Sequence, residues 1–365
     1  MVMGGYGFFG GRISQALAQD GSNIRLLVAG RSAERAQALA RALKLRDDQA
    51  LALDAQAPDL AQQLQARKVD TVIHTAGPFQ GQNYAVAQAA IAAGAHYIDL
   101  ADGRDFVAGI SQLDAAARAR GVLVTSGASS LPALSSAVVD RYLARFSRLD
   151  VIRHGIASGA RAPGLATMRG VFGYCGKPFT RLEAGRWQTV HGWLDLQSRE
   201  FPPPVGSRLL GSCDVPDLVL LPQRYPGVHT VSFHAGFASS LGHLTVWAGA
   251  QAVRLGLLRS LVPLVAPLHR ISQWMEPLVS DKGGMFVALQ GLDRQGLPLA
   301  LQWHLVAAQN HGPHIPCGAS IALARKLAAG DATLPRGAMP CMGLLTVEDY
   351  LAALQGFDVR ELPPP

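Results

Sequence analysis

The chain has 365 residues, enough for two or three domains with ample core. Hydrophobic residues make up 49% and charged residues 16%, the balance of a soluble globular protein on the apolar side. A net charge of +7 raises the question of nucleic acid, but the arginines are scattered among acids, with no Lys/Arg run and no aromatic–basic interleaving, which argues against that partner.

The chain opens on apolar Val2 and Met3, then Gly4-Gly5-Tyr6-Gly7-Phe8-Phe9-Gly10, then a helical pattern. Gly5-x-Gly7-x-x-Gly10 in the order strand, turn, helix is the arrangement a dinucleotide needs. Gly5 is expected to take the turn's backbone angles, Gly7 to admit a pyrophosphate, and Gly10 to let the helix approach its strand. The phosphates would rest on the unpaired N–H groups near Tyr6, Phe8 and Phe9. Only three residues precede Gly4, short of the about five or six of a usual central strand, and the native start is expected upstream of Met1.

A helix from Arg12 to Gln19 is expected to stop at Asp20-Gly21. Ile24 to Gly30 is a nearly continuous apolar run, the signature of a parallel strand buried on both faces. Where an NAD enzyme carries an acid for the ribose hydroxyls, the sequence reads Gly30-Arg31-Ser32. A carboxylate there repels a 2′-phosphate; Arg31 and Ser32 bind one by charge-assisted hydrogen bonds, which points to NADP. Ala33 to Leu43 is helical, and Ala50 to Asp54 is a strand with Asp54 beside the adenine end. The next strand, Val69 to His74, leads to Ala76-Gly77-Pro78, placed over the cofactor. His74 reads as a core histidine. A helix from Asn83 is capped by Gly94, His96 to Leu100 is a fifth strand, Phe106 to Arg120 a helix, and Val122 to Ser126 a sixth strand before Gly127 to Pro132. Six strands alternating with helices make a doubly wound parallel α/β sheet.

The opening turn, Ala29-Gly30-Arg31-Ser32, Ala76-Gly77-Pro78-Phe79 and His96-Tyr97-Ile98-Asp99-Leu100 together resemble the NADP-binding domain of the saccharopine dehydrogenase-like family. The resemblance implies a Rossmann domain over residues 1–135, a mixed α+β substrate and dimerisation domain over 136–310, and a segment 311–365 that returns to the first domain. It also implies oxidoreductase chemistry. Family members often carry Pro-Gly after the sixth strand; here the pair is Pro132-Ala133.

After Asp150 the strand–helix alternation is lost, as a mixed sheet requires. Residues 252–268 are strongly apolar but interrupted by two arginines and two prolines, short of the ~20-residue span a membrane helix needs. A buried or dimer-forming helix is expected, hence a homodimer, with interfacial membrane contact as the other reading. Phe286 to Gly291 and Leu297 to Val306 form a hairpin about Asp293-Arg294-Gln295-Gly296. His311-x-x-His314-x-x-Cys317 has metal-like spacing, but glycine and two prolines break any helix there and no carboxylate adjoins it, so no metal is expected. The four cysteines form no C-x-x-C pair or zinc spacing and read as reduced thiols of a cytoplasmic protein.

These residues point to an NADP-dependent oxidoreductase that moves hydride to or from a C=O or C=N carbon of a small molecule. There is no Tyr-x-x-x-Lys pair, no G-x-S-x-G and no Walker lysine. Lys177, between glycine and proline, is the candidate catalytic group, as proton donor or carboxylate ligand. Tyr97, Asp102, Ser129 and His234 are candidate pocket residues. The alternative is a non-catalytic NADP-binding redox sensor or membrane-associated scaffold.

Overall fold

The computed structural model describes residues 1–19, 24–159 and 164–364. The expected helix stop at Asp20-Gly21 lies outside the described residues. The chain divides into two compact units, Met1–Leu134 with His314–Gln355, and Ser135–Pro313 with Gly356–Pro365.

The first unit begins β1 (Val2–Met3), α1 (Phe8–Gln19), β2 (Val28–Gly30), α2 (Ala33–Ala42), β3 (Ala50–Ala52), α3 (Leu60–Ala66), β4 (Thr71–His74), α4 (Ala85–Ala93), β5 (His96–Asp99), α5 (Arg104–Ala108), α6 (Asp114–Ala119) and β6 (Leu123–Ser126). These strands are parallel in the order β6-β5-β4-β1-β2-β3, so the order reverses at β1, the switch point beside which dinucleotides bind. The strands are apolar because helices cover both faces; Val72, Ile98, Leu123 and Val124 are all fully buried. Gly94 ends α4 in the left-handed region at φ +74°. The single helix expected over 106–120 is broken by a tight turn at Gly109–Leu113. There the Tyr84 hydroxyl donates to Phe106 O (2.6 Å), and it lies so close that a Cβ on Gly109 would stand 2.7 Å from it.

The second unit runs α7 (Ser135–Leu143), β7 (Phe146–Ala157), α8 (Leu165–Tyr174), β8 (Pro178–Glu183), β9 (Arg186–His191), β10 (Gln197–Phe201), β11 (Gly206–Ser212), α9 (Asp217–Arg224), β12 (Thr230–Gly236), α10 (Ser240–Arg254), α11 (Val265–Met275), β13 (Gly283–Asp293) and β14 (Pro298–Ala307). Its sheet has the order β10-β11-β12-β7-β13-β14; only the β12–β7 pair is parallel, and β8 and β9 form a separate hairpin. The β13–β14 turn closes on Asp293, whose Oδ1 accepts from Gln295 N–H and Leu297 N–H. The apolar run 252–268, expected as one buried or dimer-forming helix, is not one helix: α10 ends at Arg254, a link with exposed leucines follows, and α11 begins at Val265.

Four elements close the chain: α12 (Gly318–Ala328), β15 (Gly337–Pro340), α13 (Val347–Ala352) and β16 (Val359–Leu362). β15 adds a seventh parallel strand beside β6, and Ser320 Oγ on α12 donates to Ala128 O (2.8 Å). The segment 311–365, expected to return as one piece, is divided. Residues 356–365 belong to the second unit, where β16 pairs with β14 and Glu361 accepts from Trp303 Nε1 (2.5 Å). That bond satisfies a donor on a side chain otherwise fully buried, which fixes the strand there.

Candidate cofactor site

In the first unit the parallel register brings the carboxyl ends of all strands to one edge, and the glycine turn stands there after β1. The left-handed angle falls on Gly4, at φ +79°, and not on Gly5 as the sequence suggests. Gly5 is required by crowding instead: a Cβ there would lie 2.8 Å from Val2 O and 3.0 Å from Val28 Cγ1. At Gly10 a Cβ would meet Gly4 O at 2.2 Å, so the helix reaches its strand only without a side chain. Gly7 N–H is used within the turn, on Gly4 O (2.8 Å), and Gly11 N–H makes the first helical bond, to Gly7 O (2.8 Å). The N–H groups of Phe8, Phe9 and Gly10 therefore have no acceptor within the helix, at its positive end. This cradle fits a pyrophosphate. Cys317, just before α12, holds its Sγ 3.8 Å from Phe9 O, so the start of α12 packs on the first turn of α1.

The end of β2 is built around Tyr6. Its hydroxyl accepts from Ser32 N–H (2.8 Å), and its ring lies where a Cβ on Gly30 would stand, 2.6 Å from Cε1. Gly30 is thus a packing requirement of Tyr6. Ser32 Oγ caps α2 by accepting from Arg35 N–H (3.2 Å). Arg31 is exposed, and the exposed Arg35 holds its guanidinium 4.6 Å from the Tyr6 ring centroid. The exposed Arg31, the Arg35 guanidinium and the N-terminus of α2 all follow the end of β2, a set of groups that suits a dianionic 2′-phosphate. Arg35 was not among the expected residues. Its place in the first turn of α2, directly after the Arg31-Ser32 strand end, is the signal the sequence offered.

Asp54 is exposed two residues past β3, its Oδ1 accepting from Gln56 N–H (3.0 Å). Ala76-Gly77-Pro78 follows β4, with Gln82 Nε2 donating to Ala76 O (3.1 Å) and Pro78 O (2.6 Å). Asp102 is half-buried and accepts from Gln80 Nε2 (3.0 Å); burial raises its carboxyl from the ordinary range. Ser129 is half-buried beside the Gly127 turn, where its N–H bonds Gly127 O (2.8 Å). Gly127 has φ +78°, and a Cβ on it would strike Pro132 Cδ at 2.5 Å.

Tyr97 is corrected by its burial. It is 1% exposed, within the apolar core, because β5 turns alternate side chains beneath α4 and α6; its hydroxyl lies 3.0 Å from His74 Nδ1. His74 is the core histidine expected, and burial lowers it to about 4, neutral at ordinary pH. Below Tyr97, the fully buried Asp99 accepts at Oδ1 from Ala101 N–H, Ser126 Oγ–H and Gly127 N–H, each 2.9 Å. Burial raises Asp99 to about 6, against the pull of those donors. Asp99 fixes the Gly127 turn, a role its place at the end of a short apolar strand did not announce.

In the second unit, Lys177 is exposed before β8, its N–H on Tyr174 O (3.0 Å) and its carbonyl accepting from Gly192 N–H (3.0 Å). His234 is 5% exposed because β12 presses it into a polar cluster: Nε2 lies 3.2 Å from Asp195 Oδ2 and 3.3 Å from Ser212 Oγ. The His234 hydrogen bond holds Asp195 well below the usual carboxylate range, with Arg181 Nη1 at 2.8 Å adding to it. Among the described residues no group of three or more His, Cys, Asp or Glu side chains is arranged for a metal. The four cysteines are buried thiols, and burial raises Cys213, Cys317 and Cys341 to about 12.

Residues 1–139 match the family model described as the saccharopine dehydrogenase NADP binding domain. Among solved structures, apo saccharopine dehydrogenase (L-Glu forming) from Saccharomyces cerevisiae superposes with a TM-score of 0.68 at 14% identity, over 100% of this chain and 99% of that one. Amine dehydrogenase from Mycobacterium smegmatis gives 0.47 at 11% identity, over 93% and 94%. At 14% identity the first likeness establishes the fold alone. A search of curated proteins finds no match.

Proposed function

We propose, from a chain whose residues 1–139 match the saccharopine dehydrogenase NADP binding domain, that the protein is an NADP-dependent oxidoreductase acting on a C=O or C=N carbon of a small molecule. The observation that carries the reading is the anion-binding edge of the first unit: free N–H groups at the start of α1, and Arg31, Ser32 and Arg35 at the end of β2. NADP is the cofactor, and its nicotinamide supplies the hydride acceptor or donor. In this reading Phe8, Phe9 and Gly10 hold the pyrophosphate, Arg31 and Arg35 the 2′-phosphate, and Asp54 borders the adenosine. Ala76-Gly77-Pro78 and the Gly127 turn flank the nicotinamide, the latter positioned by Asp99. For the proton that accompanies hydride, the Lys177 ammonium is the candidate donor.

The test is NADPH consumption against panels of carbonyl compounds and imines, with fluorescence titration of NADPH alongside. Turnover of any member supports the enzyme. Tight NADPH binding without turnover across both panels favours the redox sensor, and no binding refutes both readings.

A further inference from the structure

The second unit turns large apolar side chains outward along one continuous segment. In α10 the exposed Leu241 and Leu244 sit one turn apart, and Leu255 continues their stripe after the helix, while Val246 and Ala250 face inward. The link after α10 exposes Leu255, Leu257 and Leu258 at 70%, 75% and 43%, and α11 exposes Ile271 and Trp274 at 51% and 82%. Scattered single leucines need no explanation, but a run of this kind marks a surface that meets something apolar. Leu261 anchors the link from within: it is buried, and a Cβ added to Gly249 on α10 would lie 3.0 Å from it.

The charges decide what that is. Residues 240–275 contain no Asp or Glu, while Arg254, Arg259 and Arg270 are exposed among the leucines. The neighbouring α8 packs on α11, is also free of acids, and adds the exposed Leu165 and Arg169. A symmetric dimer through this surface would set each arginine-bearing patch against its own copy, with no carboxylate in the segment to answer. An anionic lipid surface answers both properties at once: headgroups take the guanidinium groups, and the acyl boundary takes the leucines and Trp274. No helix among the described residues is long and apolar enough to cross a membrane.

We infer that the α10–α11 segment is a membrane-surface docking site that seats the protein on anionic lipid through Leu255, Leu257, Leu258 and Trp274 flanked by Arg254, Arg259 and Arg270. The full chain should co-sediment with phosphatidylcholine vesicles containing phosphatidylserine roughly tenfold more strongly than with phosphatidylcholine alone, and less at high salt. Leu255→Ser/Leu257→Ser/Leu258→Ser should abolish vesicle binding; Arg254→Gln/Arg259→Gln/Arg270→Gln should remove only the preference for phosphatidylserine. Both sets are on exposed positions, and NADPH binding in each variant verifies that the protein is folded. Wild-type protein that binds neither vesicle overturns the inference. So does vesicle binding that survives the leucine changes, or concentration-dependent self-association that they abolish.

Discussion

Replacing Asp99 by asparagine isolates the electrostatics that hold the Gly127 turn. The carboxylate is fully buried; three donors reach Oδ1, and Oδ2 has no hydrogen-bond partner. Burial therefore wins, and the group is raised to about 6. The sign follows directly. A carboxyl raised in the folded state keeps its proton there while the unfolded chain has lost it, so its contribution is full below the unfolded value near 3.9 and is lost as pH rises through about 6. The gap corresponds to ~3 kcal/mol of stability lost by neutral pH. Asparagine keeps an acceptor for the three donors and carries no charge to desolvate. Against this stand weaker, neutral hydrogen bonds and an amide N–H₂ needing a partner, together ~1–3 kcal/mol. The Asp99→Asn variant and the wild type should thus be close in stability at neutral pH, with the wild type gaining on the variant by ~3 kcal/mol between about pH 6.5 and pH 4. Urea unfolding across that range measures it. Parallel curves for the two proteins would mean that Asp99 titrates as an ordinary surface carboxyl and that its burial carries no electrostatic cost.

Other outcomes follow from the same geometry. Gly10→Ala must displace Gly4 O, which a Cβ would approach to 2.2 Å, and should cost ~1–3 kcal/mol in thermal or urea unfolding together with most NADPH affinity. Arg35→Ala should weaken NADPH binding by roughly tenfold and leave NADH binding unchanged, measured by fluorescence titration. Lys177→Met should lower turnover of any substrate found by at least about tenfold with NADPH affinity intact; unchanged turnover removes Lys177 from the mechanism.

The cofactor domain was legible because its information is local. Buried parallel strands such as Val28–Gly30 and Leu123–Ser126 leave apolar runs, and a glycine turn between strand and helix has few other uses. What was not legible depends on partners distant in sequence. Gly337-Ala338-Met339-Pro340 has the composition of a loop and becomes β15 only because β6 offers a free edge. The placement of Gly4 rather than Gly5 in the left-handed region depends on Val28 crowding Gly5, which no spacing records. Tyr97 and His234 carry polar groups that suit a pocket, but strand alternation buries both side chains, Tyr97 against the buried His74 and His234 beneath the more exposed Asp195. The run 252–268 reads by composition as one buried or dimer-forming helix, and in the structure it breaks after Arg254 with Leu255, Leu257 and Leu258 exposed.

Selection of a 2′-phosphate by the end of β2 is read directly by calorimetric titration of the wild type and Arg31→Ala with NADPH and NADH. NADPH should bind the wild type roughly ten- to a hundredfold more tightly than NADH, the ~1.5–3 kcal/mol of hydrogen bonding to a charged group. Arg31→Ala should lose most of that difference while its NADH affinity stays nearly unchanged. Equal affinity of the wild type for the two cofactors would mean that Arg31 and its neighbours do not recognise the 2′-phosphate.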